Sequence, residues 1–370
     1  MLSWKRPRIG PTAIALDPGY TGMRAVQLRP SGRQWAIAQL SRYDDGKPVG
    51  EDDRTETWQR RMHFCYERGH FSGRFVKLAF GTPEVSYHAL EVPEGIVTQN
   101  NDETGIVIRE EIRRMLPPVG EDEEQRDLLT AHWAVPEANI KAPNVVGVVT
   151  RRKVLDDALL AAKHAHLECL AIDCSATALS RLGNLLRPEN DRQVWGLLDI
   201  GYRESRLVVC KDDIPVLTRA VGDGGQTWTK LIADDLSITE QSAEIQKKEH
   251  GINVPRRKDD PSPVEGNGTE VGTMLFGILR ASLTSLAGEI NRSYEYALSC
   301  YGHCDAADLI LVGAGAQLKQ LPQFLSEALG IPVHRASDYL DRSDCRLDID
   351  NQDPSVLGRF ANAIGLAVSE

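Results

Sequence analysis

The sequence predicts a two-lobed α/β protein, and two observations carry that prediction. An apolar strand ending in Asp-x-Gly occurs twice, as Ala15-Leu16-Asp17-Pro18-Gly19-Tyr20 and as Leu198-Asp199-Ile200-Gly201-Tyr202. Each copy opens a series of strand-like runs in one order: Met23–Leu28 and Trp35–Leu40 in the first half, Glu204–Val209 and Ile214–Ala220 in the second. A strand that delivers a carboxylate into a glycine-permitted turn lets backbone N–H groups approach a phosphate. One such turn per half predicts two lobes gripping one nucleotide.

The first lobe is expected to begin with the strand Thr12–Asp17 and its two antiparallel neighbours, followed by a helix at Thr55–Arg68 and a strand at Arg74–Phe80. From Glu84 the texture changes, with strand pieces at Val85 and Leu90–Val92 and an amphipathic helix at Asp102–Leu116 stopped by Pro117-Pro118. An acidic loop at Glu121–Glu124 and a buried strand at Val145–Val149 complete a subdomain inserted at about 84–165. Thr150 is placed to cap the next helix, which runs through Leu167; a strand at Leu170–Asp173 and a helix at Ser175–Leu186 close a first domain of 10–190.

The second domain, 191–370, repeats the strands from Val194 and then turns helical over about 226–300, with helices at Gln226–Asp235 and at Thr239–Glu249, where Thr239 is the N-cap. Residues 253–270 are polar and rich in Pro, Gly, Arg and Asp, which predicts a mobile surface loop. Leu275, Leu279, Leu283, Leu286 and Ile290 give the helix Val271–Tyr301 an apolar stripe for core packing. Strand Leu309–Val312 enters Gly313-Ala314-Gly315, a helix runs through Leu329, and a last one spans Pro354–Val368.

At 370 residues the chain suits two domains. With 41% hydrophobic and 26% charged residues, and no apolar run near the roughly 18 residues of a membrane span, it is expected to stay out of the bilayer. A net charge of −10 argues against nucleic acid as a partner. The basic Lys5, Arg6 and Arg8 run straight into a strand rather than into a secretory core, which predicts a cytoplasmic location. The 7 cysteines follow no disulfide or zinc pattern, and Cys300, His303 and Cys304 are read as packing residues.

After the second turn come Ser205, Arg219 and Gly222-Asp223-Gly224-Gly225 leading into a helix with Thr229, a glycine-rich helix start of the kind that binds anions. Glu244 and Lys247 lie three apart on one helical face, and Gly313-Ala314-Gly315 would let a flat ring approach the backbone. In that order, and with Glu289-Ile290-Asn291-Arg292-Ser293 and Phe360-Ala361-Asn362-Ala363-Ile364-Gly365 further on, these residues resemble the actin-like ATPase superfamily. Within it they are most similar to the type IV pilus assembly protein PilM family, which is related to FtsA.

The resemblance implies a duplicated RNase H-like, actin-like fold and a cytoplasmic scaffold for type IV pilus or related secretion machinery. It would place Asp17 and Gly19 at a first phosphate loop and Asp199, Gly201 and Ser205 at a second. Gly224, Gly225, Glu244, Lys247, Gly313 and Gly315 would surround the nucleoside, with Asp17 and Asp199 holding magnesium through water. ATP and Mg2+ are the cofactors implied. The implied partner is the cytoplasmic N-terminal tail of a PilN-like inner-membrane protein, docked in the first domain near the insertion, with self-association as a further possibility and membrane contact through partners only.

Departures from the family pattern shape the expected chemistry. Pro18 removes a phosphate-facing N–H, and Tyr20 is bulky where relatives carry small hydroxyl residues. Where hydrolysing relatives orient the attacking water, this chain has Asp173-Cys174-Ser175-Ala176, and only Asp173 could substitute. Loss of such a group costs roughly 10²–10⁴ in rate, which predicts weak or absent ATPase activity. A metabolite kinase of the same superfold and an FtsA-like polymerising protein are the alternatives; the first lacks a further Asp base, and the second would carry a membrane-binding tail where this chain ends at Glu370.

Overall fold

The computed structural model describes residues 10–93, 102–115, 127–135, 142–187, 194–254, 270–301, 306, 308–350 and 352–369. Its strands are β1 (Ile14–Pro18), β2 (Gly22–Ser31), β3 (Gln34–Asp44), β4 (Phe75–Phe80), β5 (Val85–Leu90), β6 (Leu128–Ala134) and β7 (Val145–Arg151). They continue as β8 (Glu168–Cys174), β9 (Val194–Ile200), β10 (Glu204–Lys211), β11 (Ile214–Asp223), β12 (Leu309–Val312), β13 (Val333–Arg335) and β14 (Leu347–Asp348).

Two sheets repeat one plan. The first has the order β14-β3-β2-β1-β4-β8 and the second β11-β10-β9-β12-β13. In each, the strand carrying Asp-x-Gly is central, antiparallel to the strand that follows its turn and parallel to a later one. A central strand covered on both faces must be apolar almost throughout, which is why Ile14-Ala15-Leu16 and Val194–Leu198 read as continuous hydrophobic runs before their aspartates.

The helices are α1 (Arg54–Gly69), α2 (Asp102–Met115), α3 (Arg152–His164), α4 (Ser175–Leu186), α5 (Gly225–Leu236), α6 (Glu240–His250), α7 (Glu270–Tyr301), α8 (Leu321–Leu329), α9 (Val356–Arg359) and α10 (Ala361–Ala367). α4 and α10 lie in the core shared by both sheets, so Trp195, Leu197, Val208 and Cys210 of the second sheet join the same apolar cluster as Ile14 and Leu16. The two helices cross closely at a glycine. A Cβ on Gly365 would sit 1.8 Å from the Ala178 carbonyl oxygen.

The opposite face of the second sheet, with Leu198, Ile200, Leu207 and Val209, packs on α7 through Leu275, Leu279, Leu283, Leu286 and Ile290. By length and composition alone α7 is long and apolar enough to cross a membrane, with a mean hydropathy of 1.3 over its most apolar window, contrary to the expectation that no such run occurs. Here its leucine stripe serves the core.

Several expectations are corrected. The insertion is a three-stranded sheet, β5-β7-β6, with α2 and a small core of its own; β6 was not expected from the sequence because Leu128–Ala134 is half-buried and lacks a strong apolar run. The inserted layer ends near Arg151 rather than 165, because α3 packs on α1 and β8. Thr150 does not cap α3: its hydroxyl donates to the Glu84 carbonyl at 2.8 Å, and Arg151 occupies the cap position. Thr239 does cap α6, accepting from the Ser242 N–H at 3.2 Å.

The expected final helix is two, broken at Phe360 with φ −114° and ψ 16°. The chain also returns to the first lobe at its end. β14 pairs with β3, and α10 packs on β1, β2 and β4, so a range of 191–370 does not coincide with the second sheet. Most of the 253–270 loop, the Glu121–Glu124 segment, His303 and Cys304 lie outside the described residues.

Candidate functional site: the cleft between the repeated turns

β1 and β9 deliver Asp17 and Asp199 into one cleft of about 340 Å³. The repeated unit is longer than Asp-x-Gly. Both copies read Asp-x-Gly-Tyr-x-x-x-Arg, Asp17 to Arg24 and Asp199 to Arg206, and the strand ladders set Asp17 opposite Arg24 and Asp199 opposite Arg206. Tyr20 and Tyr202 stack across the cleft with ring centroids 6.0 Å apart and planes 22° apart, and the Arg203 guanidinium lies 5.5 Å from the Tyr20 ring centre. Among the described residues, the N–H groups of Gly19, Tyr20 and Thr21, and of Tyr202 and Arg203, donate to no backbone carbonyl. They are therefore available to an anion.

The turns are held in place by different means. Arg61 of α1, fully buried, donates to the carbonyls of Gly19 at 3.1 Å, Gly22 at 3.4 Å and Lys47 at 2.7 Å, and pairs with Asp45 at 2.7 Å. Burial pulls the Asp45 carboxyl up, and the hydrogen bonds from Arg61 and the Lys47 N–H more than offset it, leaving it below its ordinary value. Behind the second turn stands the start of α5, whose Gly225 and Gln226 N–H groups donate to the carbonyls of Gly201 and Tyr202, each at 2.9 Å. Gly224 is needed for that contact, because a Cβ there would meet the Tyr202 oxygen at 2.5 Å.

Arg206 occupies the floor. Its Nε donates to Thr82 Oγ1 at 3.1 Å, its Nη2 to Thr82 Oγ1 at 2.7 Å, the Thr82 carbonyl at 3.2 Å and Glu204 Oε1 at 3.1 Å, and its Nη1 lies 3.9 Å from Asp199 Oδ2. Thr82 also donates to Glu204, so this knot ties the two lobes. Burial works against the Arg206 charge, and Asp199, Tyr87 and Glu204 more than compensate. Asp17 is pushed up to about 7, by burial first and then by Asp199, against the opposing pull of Arg24 and Arg206. Burial likewise raises Asp199, with Arg206 opposing.

Of the residues singled out in the sequence, Asp17, Gly19, Asp199, Gly201 and Gly313 line this cleft. Ser205 does not: it is fully buried on the opposite face of β10 and donates to the Asp223 carbonyl at 2.5 Å. Strand alternation puts Glu204 and Arg206 in the cleft instead. Gly224 and Gly225 support the second turn from behind, and the helix start that was expected to bind an anion spends its first N–H groups on that turn. Gly315 packs on Ile200, where a Cβ would approach Cγ2 to 2.2 Å.

Glu244 and Lys247 fasten α6 to α5. Lys247 Nζ donates to the Gly225 carbonyl at 2.8 Å and to Thr229 Oγ1 at 2.6 Å and pairs with Glu244 at 2.6 Å, burial lowering the lysine while Glu244 holds its proton on. Asp173 is away from the cleft, paired with Arg181 and accepting from Thr177 Oγ1 at 2.6 Å, so it is not placed to orient water there. Arg206, Tyr202 and Thr82 escaped the sequence reading. The available signal was Arg206 itself, a charge in register with the inward-facing Val208 and Cys210.

The turns with their free amides fit a polyphosphate. A divalent cation between Asp17 and Asp199 fits less well, because the Arg206 guanidinium already faces Asp199 there. Among the described residues no group of three or more His, Cys, Asp or Glu is arranged to hold a metal ion.

Comparison with known proteins agrees with the doubled architecture. The family model for type IV pilus assembly protein PilM matches residues 93–259, and that for cell division protein FtsA matches 196–365. The chain is thus similar to PilM over its middle and to FtsA over its second half. One chain of a solved PilM-PilN type IV pilus biogenesis complex is 19% identical to it, with a TM-score of 0.73 and 98% of each chain covered. The ethanolamine utilization protein EutJ from Carboxydothermus hydrogenoformans is 13% identical, with a TM-score of 0.50 over 97% of this chain and 91% of that one. The chain therefore has the two-lobed actin-like fold throughout, with the similarity to the PilM model running from the insertion past the second turn.

Proposed function

We propose that this chain is an ATP-binding scaffold of type IV pilus or related secretion machinery, working in the cytoplasm at the inner membrane through its partners. The observation that carries the reading is the pair of Asp-x-Gly-Tyr turns with free amides facing one cleft. Nucleotide held there would set the spacing of the lobes, and lobe spacing would set the surface offered to partners. Catalysis is not built in to the same degree: Asp173 faces elsewhere, and Glu204 is tied to Thr82 and Arg206. Hydrolysis is accordingly slow or absent.

The partner is a PilN-like inner-membrane protein whose N-terminal tail docks on the first lobe near the β5-β7-β6 insertion. Trp133 of that insertion donates to the Pro215 carbonyl of the second lobe at 2.8 Å, which couples the docking region to lobe position. The test is a titration of the full chain with a PilN-tail peptide, with and without ATP. Tighter peptide binding with ATP is expected; peptide affinity indifferent to saturating ATP would sink the switch, and absent peptide binding would sink the scaffold.

A further inference from the structure

We propose that Arg206 is the resident cation of the cleft, facing Asp199 where a divalent ion would otherwise be held, so that a nucleoside triphosphate binds here without a metal requirement. This rests on the nucleotide reading of the cleft. Two half-buried carboxylates facing one cavity call for compensation by protons, metal or a positive side chain. The chain supplies the side chain. Asp199 has Arg206 directly across the ladder, with Nη1 3.9 Å from Oδ2, and the same guanidinium acts on Asp17.

Its position is prepared rather than incidental. Thr82 and Glu204 take Nε and Nη2, which leaves the Nη1 edge toward Asp199 and the cavity. Backbone has been cleared for it as well: a Cβ on Gly81 would come within 2.5 Å of Nη1. A fixed guanidinium offers phosphate oxygens paired N–H donors, whereas a divalent ion entering beside it would meet like charge.

The companion arginine is spent differently. Arg24 holds the same place in the first repeat, yet its Nη2 pairs with Asp44 at 2.7 Å and its Nη1 donates to the Met23 carbonyl at 3.1 Å. Arg24 lines the cleft and acts on Asp17, but it is already paired with Asp44, whereas Arg206 keeps an edge toward Asp199 and the cavity.

Two measurements on the full chain test this. The first is affinity for a fluorescent ATP analogue with magnesium in excess or with EDTA, for the native chain, Arg206→Met and Arg206→Lys. The native chain is expected to bind equally well in both and Arg206→Lys more weakly but without regard to magnesium, while Arg206→Met loses about tenfold or more in EDTA and regains it with magnesium. A native chain that loses about tenfold or more in EDTA overturns the proposal.

The second measurement is manganese binding to the nucleotide-free protein by electron paramagnetic resonance, which judges Arg206 independently of any nucleotide. A saturable manganese site in Arg206→Met and none in the native chain supports it, and a native site overturns it. Absence of analogue binding by every variant, with and without magnesium, overturns the nucleotide reading and with it the metal-free site.

Discussion

The two copies of Asp-x-Gly-Tyr-x-x-x-Arg are the same in chain pattern and different in support. In the first, one buried side chain, Arg61, reaches the turn from a neighbouring helix and satisfies the Gly19 and Gly22 carbonyls. In the second, the backbone of α5 does the equivalent work on Gly201 and Tyr202, pressed close because Gly224 has no side chain. Duplication has thus conserved the geometry of the turn and the pairing of its strands, while leaving the means of bracing free to diverge. A turn held by one side chain is vulnerable to a single substitution; a turn held by main chain is vulnerable only where a side chain is added.

The largest break in this comparison should come at Arg61. Arg61→Leu removes the donor to the Gly19, Gly22 and Lys47 carbonyls and leaves Asp45, among the described residues, with only Arg60 and the Lys47 N–H, so a loss of roughly 3–5 kcal/mol in denaturant unfolding is expected, together with weaker nucleotide binding. A loss under about 1 kcal/mol would show that the first turn stands without it.

Next comes the carboxylate of the first copy. Asp17 has an ordinary value of 3.8 and a folded value of about 7, so between those limits the folded chain keeps a proton that the unfolded chain has released. Its contribution to stability is greatest below the lower limit, falls as pH rises through the window and levels off above it. Asp17→Asn should remove that fall, stabilising the chain by roughly 4 kcal/mol at most at pH above the window and leaving it nearly unchanged at acid pH. Thermal melts of both proteins across the window would show it, and parallel pH profiles would refute it.

Adding a side chain tests the second copy. Gly224→Ala would force the start of α5 off the turn, at a cost of about 1–3 kcal/mol by chemical unfolding, with the amide signals of Tyr202 and Arg203 shifting most. If Ala is tolerated with those signals unmoved, main-chain bracing is not what holds the turn. The smallest effect joins the copies: a double-mutant cycle with Tyr20→Ala and Tyr202→Ala should give a coupling of about 1 kcal/mol for the ring stack. A coupling near zero would mean that the two turns are set independently.

Much of the site was legible because turn chemistry is local. Asp17, Gly19, Asp199 and Gly201 could be picked out by strand, carboxylate and glycine, and they do line one cleft. Ser205 was misplaced by one position, since a strand sends neighbours to opposite faces and only the sheet's packing says which face is inward. Glu244 and Lys247 had the spacing of a ligand pair and instead bind their own helices together, a choice set by where α5 and α6 meet.

By itself the sequence determined the order of the main strands and helices around each turn, the duplicated turn and the apolar stripe of α7, all of which follow from periodicity and glycine placement within short windows. Tertiary structure alone decided that the C-terminal segment returns to the first sheet, that Asp173 pairs with Arg181 outside the cleft, and that Arg206 faces Asp199 while Arg24 pairs with Asp44. Each of these depends on which partner a side chain or strand edge meets from a distant part of the chain, and the energy of a buried charge is fixed by that partner rather than by its neighbours in sequence.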